Sequence, residues 1–541
     1  MHPIPSMYTL EALFAALSAW EGLLGAENVL LGTAALRPYG TDTSGLVRKV
    51  PAALRIDTEP LLQAVLRVAQ HHRVAVYPLS TGHNWGYGSA LPARDGSVLL
   101  DLSRMQRILH FDPELGVVSV EPGVTQGMLA DFLEQGGHDF LVPVTGAGPT
   151  CSLLANALER GFGVTPYTDH FGAVTDLQAV LADGSLYRTA LHEAGSEELA
   201  RLFKWGIGPY SAGLFTQSGF GVVTRISIVL ARRPACVKMC LFRLAHDELL
   251  APAVLSIRSV LARLPGTVGG IQLMNQHRML SMSAPYPHER AGTNGLLPPE
   301  VISSLGRHYQ VSPWTGFATL YGTQRMVAAA QKEMRIALGP VASRLFFVTP
   351  QRTRQLARWA RWLPGTKGRA LQEWTATLMR SLELVAGRPN ETVLPLAYWR
   401  SGQHPDHGAL HPGADGCGLT WYAPLVPMRP GDVLNFVRMV HEITPRYGIE
   451  PLITLTSLSD RLFDSTVPLL FDRKDPAATA AAAACFDELL HSGKAQGWFP
   501  CRVGIDAMPA LMEMQDSARS FHERLRRSLD PHDILAPGRY R

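Results

Sequence analysis

The chain has 541 residues, of which 46% are hydrophobic and 18% are charged. A chain of this length is too long for one hydrophobic core and is expected to form two domains, and its composition excludes a disordered or fibrous protein. The formal net charge of +4 is too small to indicate binding to nucleic acid or to an anionic membrane surface.

Residues 1–25 predict an amphipathic helix. They carry no Lys or Arg before their apolar part, and Glu11 and Glu21 interrupt that part at helical intervals, which is unlike a signal peptide. No stretch approaches the ~18 uninterrupted apolar residues of a membrane span. We therefore expect a cytoplasmic protein without a membrane segment.

Six cysteines are spread irregularly along the chain, a usage typical of a reduced compartment. Cys236 and Cys240 form a C-x3-C pair, but no second pair follows at the spacing of a zinc site. These cysteines therefore do not predict a metal centre.

The first predicted elements form a β-α-β unit. Residues 51–56 predict a strand, residues 59–72 have the apolar spacing of a helix with Thr58 near its N-cap, and residues 74–76 predict a second strand. Residues 77–89, YPLSTGHNWGYGS, follow as a glycine-rich loop whose N–H groups can converge on an anion such as a pyrophosphate. Taken alone, this loop is also consistent with an ordinary turn between strands.

Predicted strands and predicted helices both occur up to Pro234, where the first module ends. Its predicted strands lie near 97–102, 117–121, 177–182 and 222–230, and its predicted helices near 125–135 and 152–160.

From residue 236 the pattern changes to strands that alternate with long helices. The predicted strands are 237–244, 317–323, 416–426 and 451–456, and the predicted helices are 246–263, 324–338, 430–446 and 475–496. This alternation predicts an antiparallel sheet backed by helices.

Several segments agree in order and spacing with one known family. They are 77–89, 97–105, 120–129, 156–172, 177–189, 204–230 and 530–541. Together they resemble the vanillyl-alcohol oxidase and p-cresol methylhydroxylase family of FAD enzymes. The resemblance implies an α+β fold with an FAD-binding domain of the p-cresol methylhydroxylase type in residues 1–235 and a cap domain in residues 236–497, whose antiparallel sheet is flanked by helices. Residues 498–541 would return to the FAD domain and the active site.

The resemblance also implies which residues hold the FAD. They are Ser80, Thr81, Gly82, His83, Asn84, Gly86, Gly88, Ser89, Pro122, Gly123, Gly148, Cys151, Ser152, Asn156, Gly161, Gly163, Thr165, Val223 and Arg539. For most of the glycines, ordinary turn geometry is the alternative interpretation.

A covalent flavin link is implied at His83, because many relatives join a histidine at this position of the loop to the flavin. The alternative is a noncovalent FAD to which His83 donates or accepts a hydrogen bond. A link from the cap would start five residues before Pro424, where Leu419 cannot form the bond. A second, cysteinyl link would fall near Gly148, three residues from Cys151, so we expect one link at most.

The substrate end departs from the family pattern. Phenol-oxidising members hold a phenolate with two tyrosines and an arginine, and an adjacent guanidinium favours the ionised form. Tyr87 and Arg502 match two of these positions, while Cys501, a poor donor, stands at the third. The carboxylate that the oxidase branch carries beside the flavin would fall near Ala147 or Gly148, where none is present.

These residues predict an FAD-dependent oxidoreductase that removes hydride from an activated, benzylic C–H of a phenolic substrate. O2 or a redox protein such as a cytochrome would accept the electrons. The alternative is a tailoring oxidase that acts on a larger natural-product intermediate, and a more remote one is a flavin-binding protein without turnover. A homo-oligomer is expected from the resemblance.

Histidines also occur at position 170 and as a group in residues 404–411. His170 is expected to support the FAD domain or to transfer a proton. His404, His407 and His411 have the spacing of metal ligands on a helix, but the intervening prolines and glycine forbid a helix there, so a solvated loop is the prediction.

Overall fold

The protein is described from a computed structural model that covers residues 8–39, 42–362, 365–402, 405, 408–513 and 516–540. His404 and His407 lie outside these residues. Among the described residues, no helix combines the length and the apolar character needed to cross a membrane.

The N-terminal half contains two main sheets. Its strands are β1 (Val29–Leu30), β2 (Ala53–Arg55), β3 (Val76–Leu79), β4 (Val98–Asp101), β5 (Ile108–Asp112), β6 (Val117–Val120), β7 (Phe140–Leu141), β8 (Val174–Val180), β9 (Leu186–Arg188), β10 (Val222–Val229) and β11 (Ala231–Arg232). Its helices are α1 (Leu10–Leu24), α2 (Gly32–Leu36), α3 (Glu59–His72), α4 (Gln126–Gln135), α5 (Leu153–Leu158), α6 (Ala190–Glu193) and α7 (Glu197–Leu202). One sheet has the order β1-β2-β4-β3 and the other β5-β6-β10-β8-β9, while β7 and β11 form a short ribbon.

Helices α1 and α3 cover the first sheet because each buries one apolar face. The side chain of Trp20 in α1 is fully buried, and its indole N–H donates to the Val65 carbonyl of α3 over 3.1 Å. Helix α3 has the predicted bounds, and Thr58 occupies the N-cap position without a side-chain hydrogen bond. The predicted strand at 74–76 begins instead at Val76 and runs to Leu79, so the glycine-rich loop starts at Ser80.

The C-terminal half contains an eight-stranded sheet, which we call the cap sheet. Its strands are β12 (Cys236–Leu244), β13 (Val268–Asn275), β14 (Trp314–Gly322), β15 (Arg344–Val348), β16 (Gly418–Tyr422), β17 (Leu425–Pro427), β18 (Thr454–Ser457) and β19 (Leu462–Phe471). The helices are α8 (Leu250–Arg263), α9 (Gln276–Ser283), α10 (Pro299–His308), α11 (Gln324–Leu338), α12 (Pro350–Ala360), α13 (Gly365–Val385), α14 (Pro430–Ile443), α15 (Pro476–Ala495), α16 (Met508–Met512) and α17 (Asp516–Leu529).

The cap sheet has the order β15-β12-β14-β13-β18-β19-β16, and β17 pairs with β19. All these pairs are antiparallel, so the α+β class and the antiparallel cap predicted from the sequence are confirmed. The sequence prediction missed β13, β15 and β19, and it placed the start of the helix before β13 at 246 although α8 begins at Leu250. The missed strands pair with partners far along the chain, which a local pattern does not reveal.

The end of the chain returns to the first sheet. Leu535 forms a parallel bridge with Val76, and the Ala536 N–H donates to the Val76 carbonyl over 2.8 Å. This contact carries the C-terminal residues to the start of the glycine-rich loop. The domain limits at 235 and 497 stay a prediction.

Candidate active site

A cavity of about 450 Å³ lies between the N-terminal half and the cap sheet. The N-terminal half lines it with the loop after β3, the segment around α5 and residues 217–223. The cap lines it with strands β13, β18 and β19 and with helix α9. The two halves therefore enclose one site.

Most of the predicted residues line this cavity. They are Ser80, Thr81, Gly82, His83, Asn84, Tyr87, Ser89, Pro122, Cys151, Ser152, Asn156, Gly161, Gly163, Val223, Arg502 and Arg539. The others lie behind the lining or beside it. They are Gly86, Gly88, Gly123, Gly148, Thr165 and His170, together with Cys501, which lines a neighbouring cavity.

Gly86 is buried where the first loop meets the cap. A Cβ at this position would lie 2.4 Å from the Trp421 ring, and the backbone φ is +79°. The Trp421 indole donates to the Trp85 carbonyl over 2.9 Å. Gly86 thus allows close packing between loop and cap. Its contact with the cofactor stays a prediction.

The segment around α5 forms a second wall. The Ser152 hydroxyl donates to the Pro122 carbonyl over 2.6 Å and accepts from the Ala155 N–H over 3.1 Å, which caps the helix. A Cβ on Gly161 would lie 2.0 Å from Asn156 Oδ1, so any larger residue there would have to displace the Asn156 side chain. Asn156 in turn bonds the Nδ1 of His170.

His170 supports this wall from behind. Its ring is buried, and a Cβ on Gly163 would lie 2.4 Å from its Nε2. Burial, together with the nearby Arg502, lowers the pKa of His170 to about 4. The imidazole is therefore neutral near pH 7 and positions Asn156.

His83 lies in the cavity wall with one ring nitrogen engaged. Its Nδ1 is 2.7 Å from the Thr150 hydroxyl, and its ring stacks on Trp85 with the ring centroids 4.9 Å apart. Burial, together with the nearby His411, lowers the pKa of His83 to about 4. A neutral imidazole held in this way has its Nε2 left for another partner.

Arg539 brings the end of the chain to the cavity. Its guanidinium donates to the Tyr77 hydroxyl over 2.7 Å and forms an ion pair with Glu159. Tyr77 and Glu159 also line the cavity, so this network ties three distant segments to one wall.

Tyr87 and Arg502 lie together at the cap side of the cavity. The Arg502 guanidinium carbon is 4.2 Å from the centroid of the Tyr87 ring. Burial raises the pKa of Tyr87 to about 12, although Arg502 opposes this shift. The phenol of Tyr87 therefore stays protonated and Arg502 stays a cation, so both can donate to an oxyanion.

Asp464 of β19 joins this pair and was missed by the sequence analysis. Burial raises its carboxyl pKa to about 6, and Arg502 partly offsets that shift. Its Oδ1 is buried and has no hydrogen-bond partner in the described part of the chain. In the structure, residues 462–467 alternate between buried and half-buried positions with Asp464 on the half-buried face, but the consecutive polar residues 464–466 hide this alternation in the sequence.

Arg278 of α9 also lines the cavity and was likewise missed. Arg278 is 4% exposed, and its Nε has no hydrogen-bond partner within the described ranges. Nothing in the local sequence QHRMLSMS distinguishes it from a surface arginine.

The walls fit an FAD by their free polar atoms. Ser89 Oγ and Ser218 Oγ are buried without a partner among the described residues, and both residues line the cavity. Because buried hydroxyls are normally hydrogen-bonded, these two indicate that a ligand binds beside them.

Comparison with known proteins gives two relatives that match over nearly the whole chain. The 1'-carboxy-chondrochloren decarboxylase of Chondromyces crocatus is 35% identical over 97% of this chain and 96% of its own length. The 4-cresol dehydrogenase [hydroxylating] flavoprotein subunit of Pseudomonas putida is 27% identical over 97% of this chain and 94% of its own length. This chain belongs to the vanillyl-alcohol oxidase and p-cresol methylhydroxylase family of FAD-linked oxidoreductases.

Other matches agree with membership of this vanillyl-alcohol oxidase family. A profile described as an FAD binding domain matches residues 50–190. A crystal structure of p-cresol methylhydroxylase with substrate bound superposes with a TM-score of 0.87 at 25% identity, covering 99% of this chain and 98% of that one. The 4-ethylphenol oxidase of Gulosibacter chungangensis, in an isoeugenol complex, has the same fold, with a TM-score of 0.88 at 23% identity and coverage of 99% and 98%.

Three predictions are thereby confirmed for this family member. It has the family fold, it is an FAD-dependent oxidoreductase, and its cofactor is FAD. The roles of individual site residues stay predictions.

Proposed function

We propose that the enzyme oxidises the benzylic carbon of a phenolic substrate. The observation that carries this proposal is the cluster of Tyr87, Arg502 and Asp464 on one wall of the cavity. The cluster combines two donors for an oxyanion with one acceptor for a proton. FAD, when bound, accepts the hydride from the benzylic carbon.

The phenol end is activated by removal of its proton. The substrate hydroxyl gives its proton to Asp464 Oδ1, and the resulting phenolate takes over the charge pairing with Arg502. Tyr87 donates its hydrogen bond to the same oxygen. A pKa of about 6 suits this step, because a base is most effective when its pKa lies near the working pH.

The electron count is balanced by one hydride and one proton. The phenolate oxygen pushes electron density toward the ring, the benzylic C–H bond breaks with loss of hydride, and the substrate becomes a neutral quinone methide. Arg502 and Tyr87 have then lost their anion, while Asp464 holds the proton. Protein residues thus control the charge on oxygen while the oxidation occurs at carbon.

A second candidate is tailoring of a larger intermediate with loss of CO2. The relative from Chondromyces crocatus is named a decarboxylase of a carboxylated compound, and it is 35% identical over nearly the full length. In this reaction the quinone methide would break the C–C bond to a neighbouring carboxylate, and that electron pair would form the C=C bond of a vinylphenol. No further oxidant is needed.

We also propose that FAD is attached through Nε2 of His83, since Nδ1 is engaged by Thr150. Acid precipitation should then leave yellow flavin in the protein pellet. His83→Ala protein should release its flavin to the supernatant, and flavin that stays in the pellet of this variant would contradict the link.

Two further proposals concern the electron acceptor and the assembly state. Reduced enzyme should pass electrons to O2 or to a redox protein such as a cytochrome. Oxygen uptake and cytochrome reduction, measured side by side on the reduced enzyme, separate the two. A dimer or larger homo-oligomer is expected, and a monomer at micromolar concentration in light scattering would contradict it.

The main experiment is anaerobic stopped-flow flavin reduction with a panel of 4-alkylphenols. Bleaching of the flavin by phenols but not by their O-methyl ethers is the expected result, because an ether has no proton to give to Asp464. Equal rates for both would sink the proposed function. Assay of released CO2 from carboxylated phenols separates the second candidate from the first.

A further inference from the structure

Arg278 is a buried cation without a counter-ion in the described part of the protein. It lies on α9, its residue is 4% exposed, and it lines the same cavity as Arg502. Its Nη1 donates to the Ser281 hydroxyl over 3.3 Å, and its Nε donates to no described group. Burial lowers the pKa of Arg278 to about 10, which still leaves it charged near pH 7.

The absence of an acid near Arg278 is unusual, because a buried charge is normally paired. Arg502, by comparison, has Tyr87 and Asp464 beside it. An unpaired guanidinium in a cavity wall costs stability unless a ligand supplies the anion.

Arg278 and Asp464 belong to different elements of the cap wall, Arg278 to α9 after the end of β13 and Asp464 to β19. Gln272, Thr456 and Asp464 are directly paired neighbours across β13, β18 and β19. Two residues further along β13, Met274 forms the next row with Thr454 and Thr466. Successive rows on one face are about 6.8 Å apart, given ~3.4 Å per residue.

Helix α9 follows directly after β13 in the chain. Asn275 caps it by accepting from the Arg278 N–H over 3.0 Å, and its side-chain amide donates to the Pro451 carbonyl over 2.7 Å. Arg278 comes four residues after Met274 in the chain, and both line the cavity that Asp464 and Arg502 also line. The cavity therefore has two arginines, one on α9 and one beside Asp464.

We propose that Arg278 binds a carboxylate on the side chain of the substrate. This inference rests on the proposed function, because it takes the phenol end to lie at Arg502. The substrate class is then a 4-hydroxyphenyl-substituted carboxylic acid, with the benzylic carbon held between two anchored ends. The planar fork of the guanidinium suits a two-point bond to a carboxylate.

The test uses a series of ω-(4-hydroxyphenyl)alkanoates from acetate to hexanoate, each paired with its methyl ester. Binding is measured by calorimetry, and flavin reduction is measured anaerobically. At the best chain length, the acid should bind on the order of tenfold to a hundredfold more tightly than its ester, the range of a charge-assisted hydrogen bond. The chain length at the optimum measures the spacing between the two anchors.

Arg278→Met should reduce the preference for the acid to within threefold while the ester is still oxidised. Arg278→Lys should keep part of the preference. Arg400→Met is the matched control, because Arg400 is a cap arginine that stacks on Tyr286 and donates to the Gly295 carbonyl. This control should keep the wild-type preference.

The outcomes separate the two proposals. If phenols reduce the flavin but acids and esters bind equally at every length in wild type, the carboxylate site is wrong and the proposed function stands. If acids bind preferentially but no phenol reduces the flavin, the proposed function is wrong and the carboxylate site stands. Folded Arg278→Met protein that lacks flavin would assign Arg278 to the cofactor and overturn the inference. If that variant does not fold, Arg278→Lys decides, because a reduced preference for the acid supports the site and an unchanged preference overturns it.

Discussion

The two walls of the cavity are built in different ways. The N-terminal wall consists mainly of backbone, glycines and short hydroxyl or amide side chains, carried by the loop at 80–89 and the segment at 145–163. The cap wall consists of longer side chains that three paired strands and helix α9 bring together. The first wall is set by local sequence and the second by strand register, so each wall should respond differently to substitution.

The largest effect is expected at the cap wall from Arg502→Ala. Loss of a charge-assisted bond to the phenolate in a water-poor site should cost roughly 2–4 kcal/mol, about 30- to 1000-fold in the rate of flavin reduction. Arg502→Lys should also be slow, because a point ammonium lacks the planar fork. Anaerobic stopped-flow reduction checks both variants, and a rate for Arg502→Ala within threefold of wild type would mean that Arg502 is structural.

Asp464→Asn should slow flavin reduction on the order of tenfold to a hundredfold, as loss of a general base does. In wild type the rate should rise with pH through about 6 and then level off, because only the deprotonated carboxylate accepts the phenol proton. The variant should lack this limb. If Asp464→Asn shows the same rise in rate through about pH 6, the group that titrates is not Asp464.

The same substitution should stabilise the substrate-free protein. The folded-state pKa of Asp464 lies above its ordinary value of 3.8, so the native state loses stability as pH rises from about 4 through 6. Removing the charge should raise the free energy of unfolding at pH 7 by about 1–2 kcal/mol, a figure reduced for the partial exposure of the side chain. Denaturant titration at pH 4 and pH 7 checks the sign, since the gain should vanish at the lower pH.

At the N-terminal wall, Gly161→Ala should weaken FAD binding about 5- to 30-fold, because the new Cβ must displace Asn156 and strain of this size costs roughly 1–2 kcal/mol. Flavin content and rebinding after removal of FAD, in a His83→Ala background, provide the measurement. Gly22→Ala is the control, since a Cβ there meets nothing within 4 Å. Equal flavin content in both variants would show that the close packing of Gly161 against Asn156 is not needed for FAD binding.

The smallest effect is expected from Cys501→Ala. Burial, together with Asp464, raises the thiol pKa of Cys501 to about 11, so the thiol is neutral at pH 7 and is neither a base nor an anion. The rate of flavin reduction should stay within about threefold of wild type, because a neutral thiol is a weak hydrogen-bond donor. A larger loss would place Cys501 in contact with the substrate.

The contrast between the walls also explains what could be predicted from the sequence. Gly82, Ser152 and Gly161 belong to short contiguous motifs, and each of them lines the cavity. Asp464 and Arg278 could not be assigned, because their position depends on the pairing of β13, β18 and β19, of which two strands were missed. Periodicity along one segment predicts which face is buried, but it does not tell which strand lies beside it.

Two glycines of the first loop show why the predicted roles of single residues stay predictions. Gly86 contacts Trp421 and Gly88 lies against Ile505, both of which are far along the chain. A glycine needed for close packing between distant segments has the same local appearance as one that faces a ligand. The sequence motif alone therefore does not separate the two roles.

The bridge between Val76 and Leu535 has a consequence for how the protein is made. The hydrogen bond from Arg539 to Tyr77 joins residues 462 positions apart. At about 5–20 residues per second, a ribosome would need roughly 20–90 s to deliver the second partner after the first. Throughout that interval the nascent glycine-rich loop lacks the contacts from Leu535 and Arg539, so the complete flavin site forms only after these residues have been made.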